Sequence, residues 1–126
     1  TKKEMRLLED ISELSALVDT EQWRTVETVG ELHPLCKRYS AEALLFIAAG
    51  GATEQKQGLL YDYVRKRDSM PVYLTGDDLI RHGFSPGPSF SAILTDLQAA
   101  VLNEQIQSRE QALDWLKSLI NDRSVI

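Results

Sequence analysis

Residues 73–90, YLTGDDLIRHGFSPGPSF, hold two helix starts separated by one sharp corner. Thr75-Gly76-Asp77-Asp78 is a capping-box pattern, with Asp78 in the place that Glu or Gln usually fills. Leu79 and Ile80 give the short helix that follows an apolar side, and Gly83 is a natural stop just past its end. After Phe84, Pro88 suits a first helical position. Phe90, Ile93, Leu94, Leu97 and Val101 then recur at i, i+3, i+4, i+7 and i+11, one face of a longer helix. Helix, corner, helix is the reading that sets the fold class.

Working outward, the same spacing dominates. Upstream, Leu7, Leu8, Ile11, Leu14, Leu17 and Val18 form an apolar stripe that Asp19 and Thr20 interrupt. In the stretch 23–39, Gly30 and Pro34 limit regular helix, and Pro34 is expected in the first turn of a short one ending near Tyr39. Ser40 caps EALLFIAA, which is apolar nearly all round and is expected to be the buried centre, with Gly50-Gly51 ending it. Thr53 caps the next helix, whose Leu59, Leu60, Tyr63 and Val64 face inward and whose last turn is Arg65-Lys66-Arg67. Downstream, Ser108 with Gln111 makes a second capping box before Leu113, Leu116, Leu119 and Ile120. The expectation is an all-α chain of about seven short helices in a compact bundle, without a sheet, forming one domain over 1–126.

Composition narrows the function classes. A 43% hydrophobic and 26% charged chain is an ordinary globular one. Its longest strictly apolar run, Ala43 to Ala49, is too short to span a bilayer, so no membrane is expected as a partner. The single Cys36 excludes an internal disulfide and fits a cytoplasmic setting. Two isolated histidines offer no metal-ligand spacing. A net charge of −5 argues against a broad electrostatic grip on duplex DNA, so any nucleic-acid contact has to be local. The first residue is not Met and the helical pattern is already under way, so the chain reads as a piece of a longer protein.

The order L-T-G-D-D-L-I-x-x-G-F-x-P-G-P-x-F-x-x-I-L over 74–94 resembles the C-terminal signature of the bacterial tRNA nucleotidyltransferase and poly(A) polymerase family. The resemblance continues through Ala100, Leu102, Ile106 and Ser108-Arg109-Glu110-Gln111-Ala112-Leu113, within a motif region at 71–121. It is weaker over about 30–70, and the first thirty residues carry no motif match. Ser91 and Glu104 stand where relatives often have glycine. The resemblance implies a parent enzyme that adds nucleotides to RNA 3′ ends without a template. Its N-terminal head would hold Mg²⁺ on paired aspartates and use ATP or CTP. Asp77-Asp78 belongs to a helix start, not to a strand-borne Asp-x-Asp pair, so this fragment is expected to be catalytically inert, with no cofactor of its own. Its implied partners are tRNA and the N-terminal catalytic domain of the same chain.

A helix N-terminus can take a phosphate through its own N–H groups, without a basic field. On that ground Gly87, Ser89 and Ser91 are candidate RNA contacts, joined by Arg65, Lys66, Arg67 and Arg81 as phosphate-binding cations. Each also has a plain structural reading. Pro86-Gly87-Pro88 fixes an interhelix angle, and the cations suit the C-terminal ends of helix dipoles. Two other function classes stay open. Helix-hairpin-helix or helix-turn-helix modules that bind DNA share this layout. A structural or homodimerising domain, joined through the first helix's apolar stripe, is the second.

Overall fold

The computed structural model of the chain describes residues 1–50 and 52–124, with side chains through Ile120. Eight helices appear among them, and no strand. They are α1 (Lys2–Val18), α2 (Glu21–Arg24), α3 (Val29–Cys36), α4 (Ala41–Ala49), α5 (Glu54–Asp68), α6 (Gly76–Arg81), α7 (Pro88–Leu102) and α8 (Arg109–Ser124). Most are switched on by a hydroxyl. Thr20, Thr28, Ser40 and Thr53 accept from Trp23, Glu31, Ala43 and Lys56 N–H at 3.2–3.3 Å. The chain groups into two compact units, Thr1–Ser69 and Met70–Ile126, within the span that the sequence reads as one domain.

In the first unit α4 packs on both α1 and α5, α5 on α3, and α1 on α2. Leu14, Trp23, Leu32, Cys36, Ala43, Leu44, Leu60 and Tyr63 are buried. The extra helix over the expected seven is α2, a single turn that Thr20 caps and that buries Trp23. Pro34 does not open α3 as expected. Thr28 does, six residues earlier, and Pro34 sits inside the helix, forfeiting an i→i−4 bond near its end. The local cap outweighs that loss because α3 is only eight residues long. Nor is α4 buried all round. Ala43, Leu44 and Ala48 face inward, but Leu45 is 38% and Phe46 60% exposed, because α1 and α5 cover only part of its circumference.

The second unit is built around Leu74, Leu79, Phe84, Ile93, Leu97, Ile106, Ala112 and Leu116, drawn from α6, α7, α8, the segments joining them and the stretch leading into α6. Two helix ends here share one device. In α6 the Gly83 N–H bonds to Ile80 O and the Phe84 N–H to Leu79 O; in α7 Glu104 bonds to Val101 O and Gln105 to Ala100 O. Both are Schellman ends. The left-handed position is Gly83 at φ 92° in the first, as the sequence predicts, and Glu104 at φ 62° in the second.

Candidate functional site

The α6 start is fixed by an ion pair. Asp78, whose side chain is only 7% exposed, accepts from the Thr75 N–H at 2.8 Å and hydroxyl at 3.2 Å. Arg109 grips the same carboxylate through Nη2 to Oδ1 at 2.7 Å and Nη1 to Oδ2 at 3.3 Å. The Arg109 Nη1 also donates to Tyr73 O at 2.7 Å, and the Tyr73 hydroxyl donates to Gln107 O at 2.9 Å. The Arg109 guanidinium, with the Thr75 backbone N–H behind it, holds the Asp78 carboxyl well below the usual carboxylate range. The first residue of α8 therefore clamps the mouth of α6.

The mouth of α7 lies against it. A Cβ built on Gly76 would meet the Phe90 ring at 3.6 Å, so the first turns of the two helices touch. Between them, Ser85, Pro86, Gly87, Pro88 and Ser89 are all exposed, held between buried Phe84 and half-buried Phe90. Gly87 has φ 159° and ψ −169°, and a Cβ there would meet nothing within 4 Å. Its backbone face is open, and only glycine holds that conformation without strain. Ser89 and Ser91 are exposed, with hydroxyls that find no partner among the described residues; the Ser91 carbonyl accepts from Thr95 Oγ1 at 2.8 Å. Arg81 is exposed at the end of α6 and has no ion-pair partner among the described residues. Beside it, His82 Nδ1 lies 2.8 Å from Asp78 O; a carbonyl only accepts, so Nδ1 carries the proton.

The basic run in the first unit is organised differently from three free cations. Arg65 is exposed but paired with Asp62 at 2.5 Å. Arg67 turns inward. Its Nη1 donates to Tyr39 O at 2.9 Å and Cys36 O at 3.4 Å, capping the end of α3, while its guanidinium lies 5.2 Å from the Tyr63 ring centre. Lys66, half-buried, is also engaged within the protein. Around Arg67, the Tyr63 hydroxyl lies 2.9 Å from His33 Nδ1, and burial pushes both the Tyr63 hydroxyl and the Cys36 thiol up to about 12.

Two structural polar arrangements escape sequence reasoning. Arg109 and Asp78 lie thirty-one positions apart, and no local spacing joins them. Lys56 is buried with its ammonium on the carbonyls of Val26 and Arg24; its only sequence signal is its place on the inward face of α5, four residues before Leu60. The Ser108–Gln111 box is half formed: Ser108 Oγ accepts from Gln111 N–H at 3.1 Å, but the Gln111 side chain takes the N–H of Gln107. A groove of about 430 Å³ runs along α1, between its charged side and Arg38. With Asp78 held by Arg109 and Thr75, Asp77-Asp78 does not fit a Mg²⁺ site, and the described residues hold no cluster of three or more His, Cys, Asp or Glu suited to a metal.

Over 98% of its length the chain is 26% identical to an A-adding tRNA nucleotidyltransferase of Halalkalibacterium halodurans. Over 90% it is 27% identical to a CCA-adding enzyme of Leuconostoc citreum. It is similar to part of a tRNA nucleotidyltransferase. The chain spans 28% and 29% of those two proteins, less than a third of their length. The first similarity takes in most of the opening thirty residues, for which no motif resemblance was found. No family model and no solved structure matches the chain.

Proposed function

We propose that this chain is a non-catalytic, tRNA-binding part of a template-independent RNA 3′-end nucleotidyltransferase of the CCA-adding, A-adding or poly(A) polymerase type. In this reading it holds tRNA in place for a catalytic head elsewhere in the parent protein, in the cytoplasm, where Mg²⁺ and ATP or CTP are used. The observation that carries it is the exposed α6–α7 corner, with Gly87 open on one side and the mouths of two helices in contact beneath it. The names of the two relatives supply the ligand class.

An acidic protein can grip RNA here because the attraction is local. The first turn of α7 offers the Ser89 N–H and the positive end of the helix dipole, since Pro88 has no N–H and Phe90 donates its own to Gly87 O. Ser89 and Ser91 add hydroxyls without a partner among the described residues. Gly87 lets a phosphate approach the backbone closely, and Arg81 supplies a cation within the same unit. Arg65 and Lys66 are assigned a second, weaker phosphate contact, for which Arg67 fixes the helix end rather than touching RNA. Asp77 is exposed in the first turn of α6, so the phosphate belongs to the α7 mouth.

The test is fluorescence anisotropy with labelled tRNA and with a duplex DNA of similar length, at matched salt. Ser89→Asp puts a carboxylate where the phosphate would sit and should weaken tRNA binding by about tenfold or more, equivalent to about 1.4 kcal/mol. Arg81→Glu should weaken it in a salt-dependent way. Affinity untouched by both variants would remove the corner as the contact. Tighter binding to the duplex than to tRNA would favour a helix-hairpin-helix DNA module instead.

A further inference from the structure

The charged side of α1 separates its cations from its carboxylates along the helix. Lys2 and Arg6 lie four residues apart near its start, and Glu9 and Glu13 four residues apart further on. At 100° per residue all four fall within a strip about 60° wide. Their two midpoints are about 10 Å apart along the axis at 1.5 Å per residue. All four side chains are exposed, and Met5 beside them is 63% exposed. Among the described residues Lys2 and Arg6 make no ion pair, although Glu9 and Asp10 stand one turn from Arg6. Glu13 is held in position: its Oε2 accepts from Arg38 and from the Tyr39 hydroxyl, which leaves Oε1 available.

We infer that this face is a self-association surface, on which α1 pairs antiparallel with α1 of a second copy about a two-fold axis near residues 7 and 8. That arrangement sets Lys2 against Glu13 and Arg6 against Glu9 of the other copy, and symmetry repeats both pairs. The charge segregation selects this occupant. RNA would be drawn to Lys2, Arg6 and Arg38 but repelled by Glu9, Asp10 and Glu13, and a basic partner would meet the reverse. A second copy carries the same pattern, which an antiparallel two-fold turns into its complement, as an isologous interface requires. The groove of about 430 Å³ along this side gives the partner helix a seat, with Met5 as its apolar contact. Exposed ion pairs are individually weak, so the dimer is expected to be reversible, to form at high protein concentration and to loosen with salt.

Sedimentation equilibrium of the 126-residue chain at low ionic strength tests this. Arg6→Glu alone, and Glu9→Arg alone, should each weaken self-association by more than about tenfold, because each opposes like charges. The double variant Arg6→Glu/Glu9→Arg should regain it, and an equimolar mixture of the two single variants should form a mixed dimer. Circular dichroism of each variant should match the parent, since both positions are exposed. A chain that stays monomeric at low salt overturns the inference. So does a dimer indifferent to the single variants, or a double variant that behaves like the singles.

Discussion

At the scale of single residues, two arginines two positions apart do different work. Arg65 is exposed and pairs with Asp62 across one helical turn, so Arg65→Ala should cost less than about 1 kcal/mol of stability. Arg67 satisfies Cys36 O and Tyr39 O and covers the Tyr63 ring, so Arg67→Ala should cost about 1–3 kcal/mol. Urea unfolding of the two variants separates the roles; equal losses would mean that the inward hydrogen bonds of Arg67 carry no weight. The sequence shows three neighbouring cations and nothing to tell them apart, because which one turns inward depends on where the end of α3 lies. Glu104 is the reverse case. It occupies a left-handed helix-end position at φ 62° that glycine fills without strain, so Glu104→Gly should raise stability by about 1 kcal/mol and with it the Tm. A lower Tm would show that the Glu104 side chain returns more than its backbone strain costs.

At the scale of elements, the bond between the starts of α6 and α8 is the one most exposed to pH. Asp78 has a depressed carboxyl pKa in the fold, so its contribution is complete above the ordinary aspartate value of about 4 and drains away as pH falls below it. Asp78→Asn removes that dependence. Thermal melts of parent and variant should differ most at neutral pH and converge on acidification, and a gap that stayed constant down to acid pH would rule the ion pair out as its source. The corner itself was legible in sequence. Thr75, Gly83 and Pro88 each demand a specific backbone state, and all three occupy the positions predicted for them. Arg109 was not legible, because its carboxylate partner lies thirty-one residues away and only folding brings the two together.

At the scale of the whole molecule, the chain divides between Ser69 and Met70. Ser69, Pro71 and Val72 are exposed and lie outside any helix, between the end of α5 and the start of α6. Brief digestion with a protease of broad specificity should therefore cut first within 69–72 and yield two fragments. First cuts inside α5 or α7 would mean that the division between units is not the weakest point of the chain. The division left little mark on the sequence, where DSMPVY reads as one more short connection.

The sequence by itself determined the helical class, the caps that begin α4, α5, α6 and α8, the Gly83 stop and the α6–α7 corner. These rest on backbone requirements that a residue meets or fails within one turn, so local order is enough to read them. Tertiary structure alone decided which polar side chains serve the fold: Asp78 with Arg109, Arg67 on the end of α3, Lys56 on the carbonyls of Val26 and Arg24. It also decided that α4 keeps Leu45 and Phe46 in solvent, against the expectation from its composition. The free energy of a buried hydrogen bond, or of an apolar face, depends on what arrives from elsewhere in the chain, and residue spacing carries no record of that.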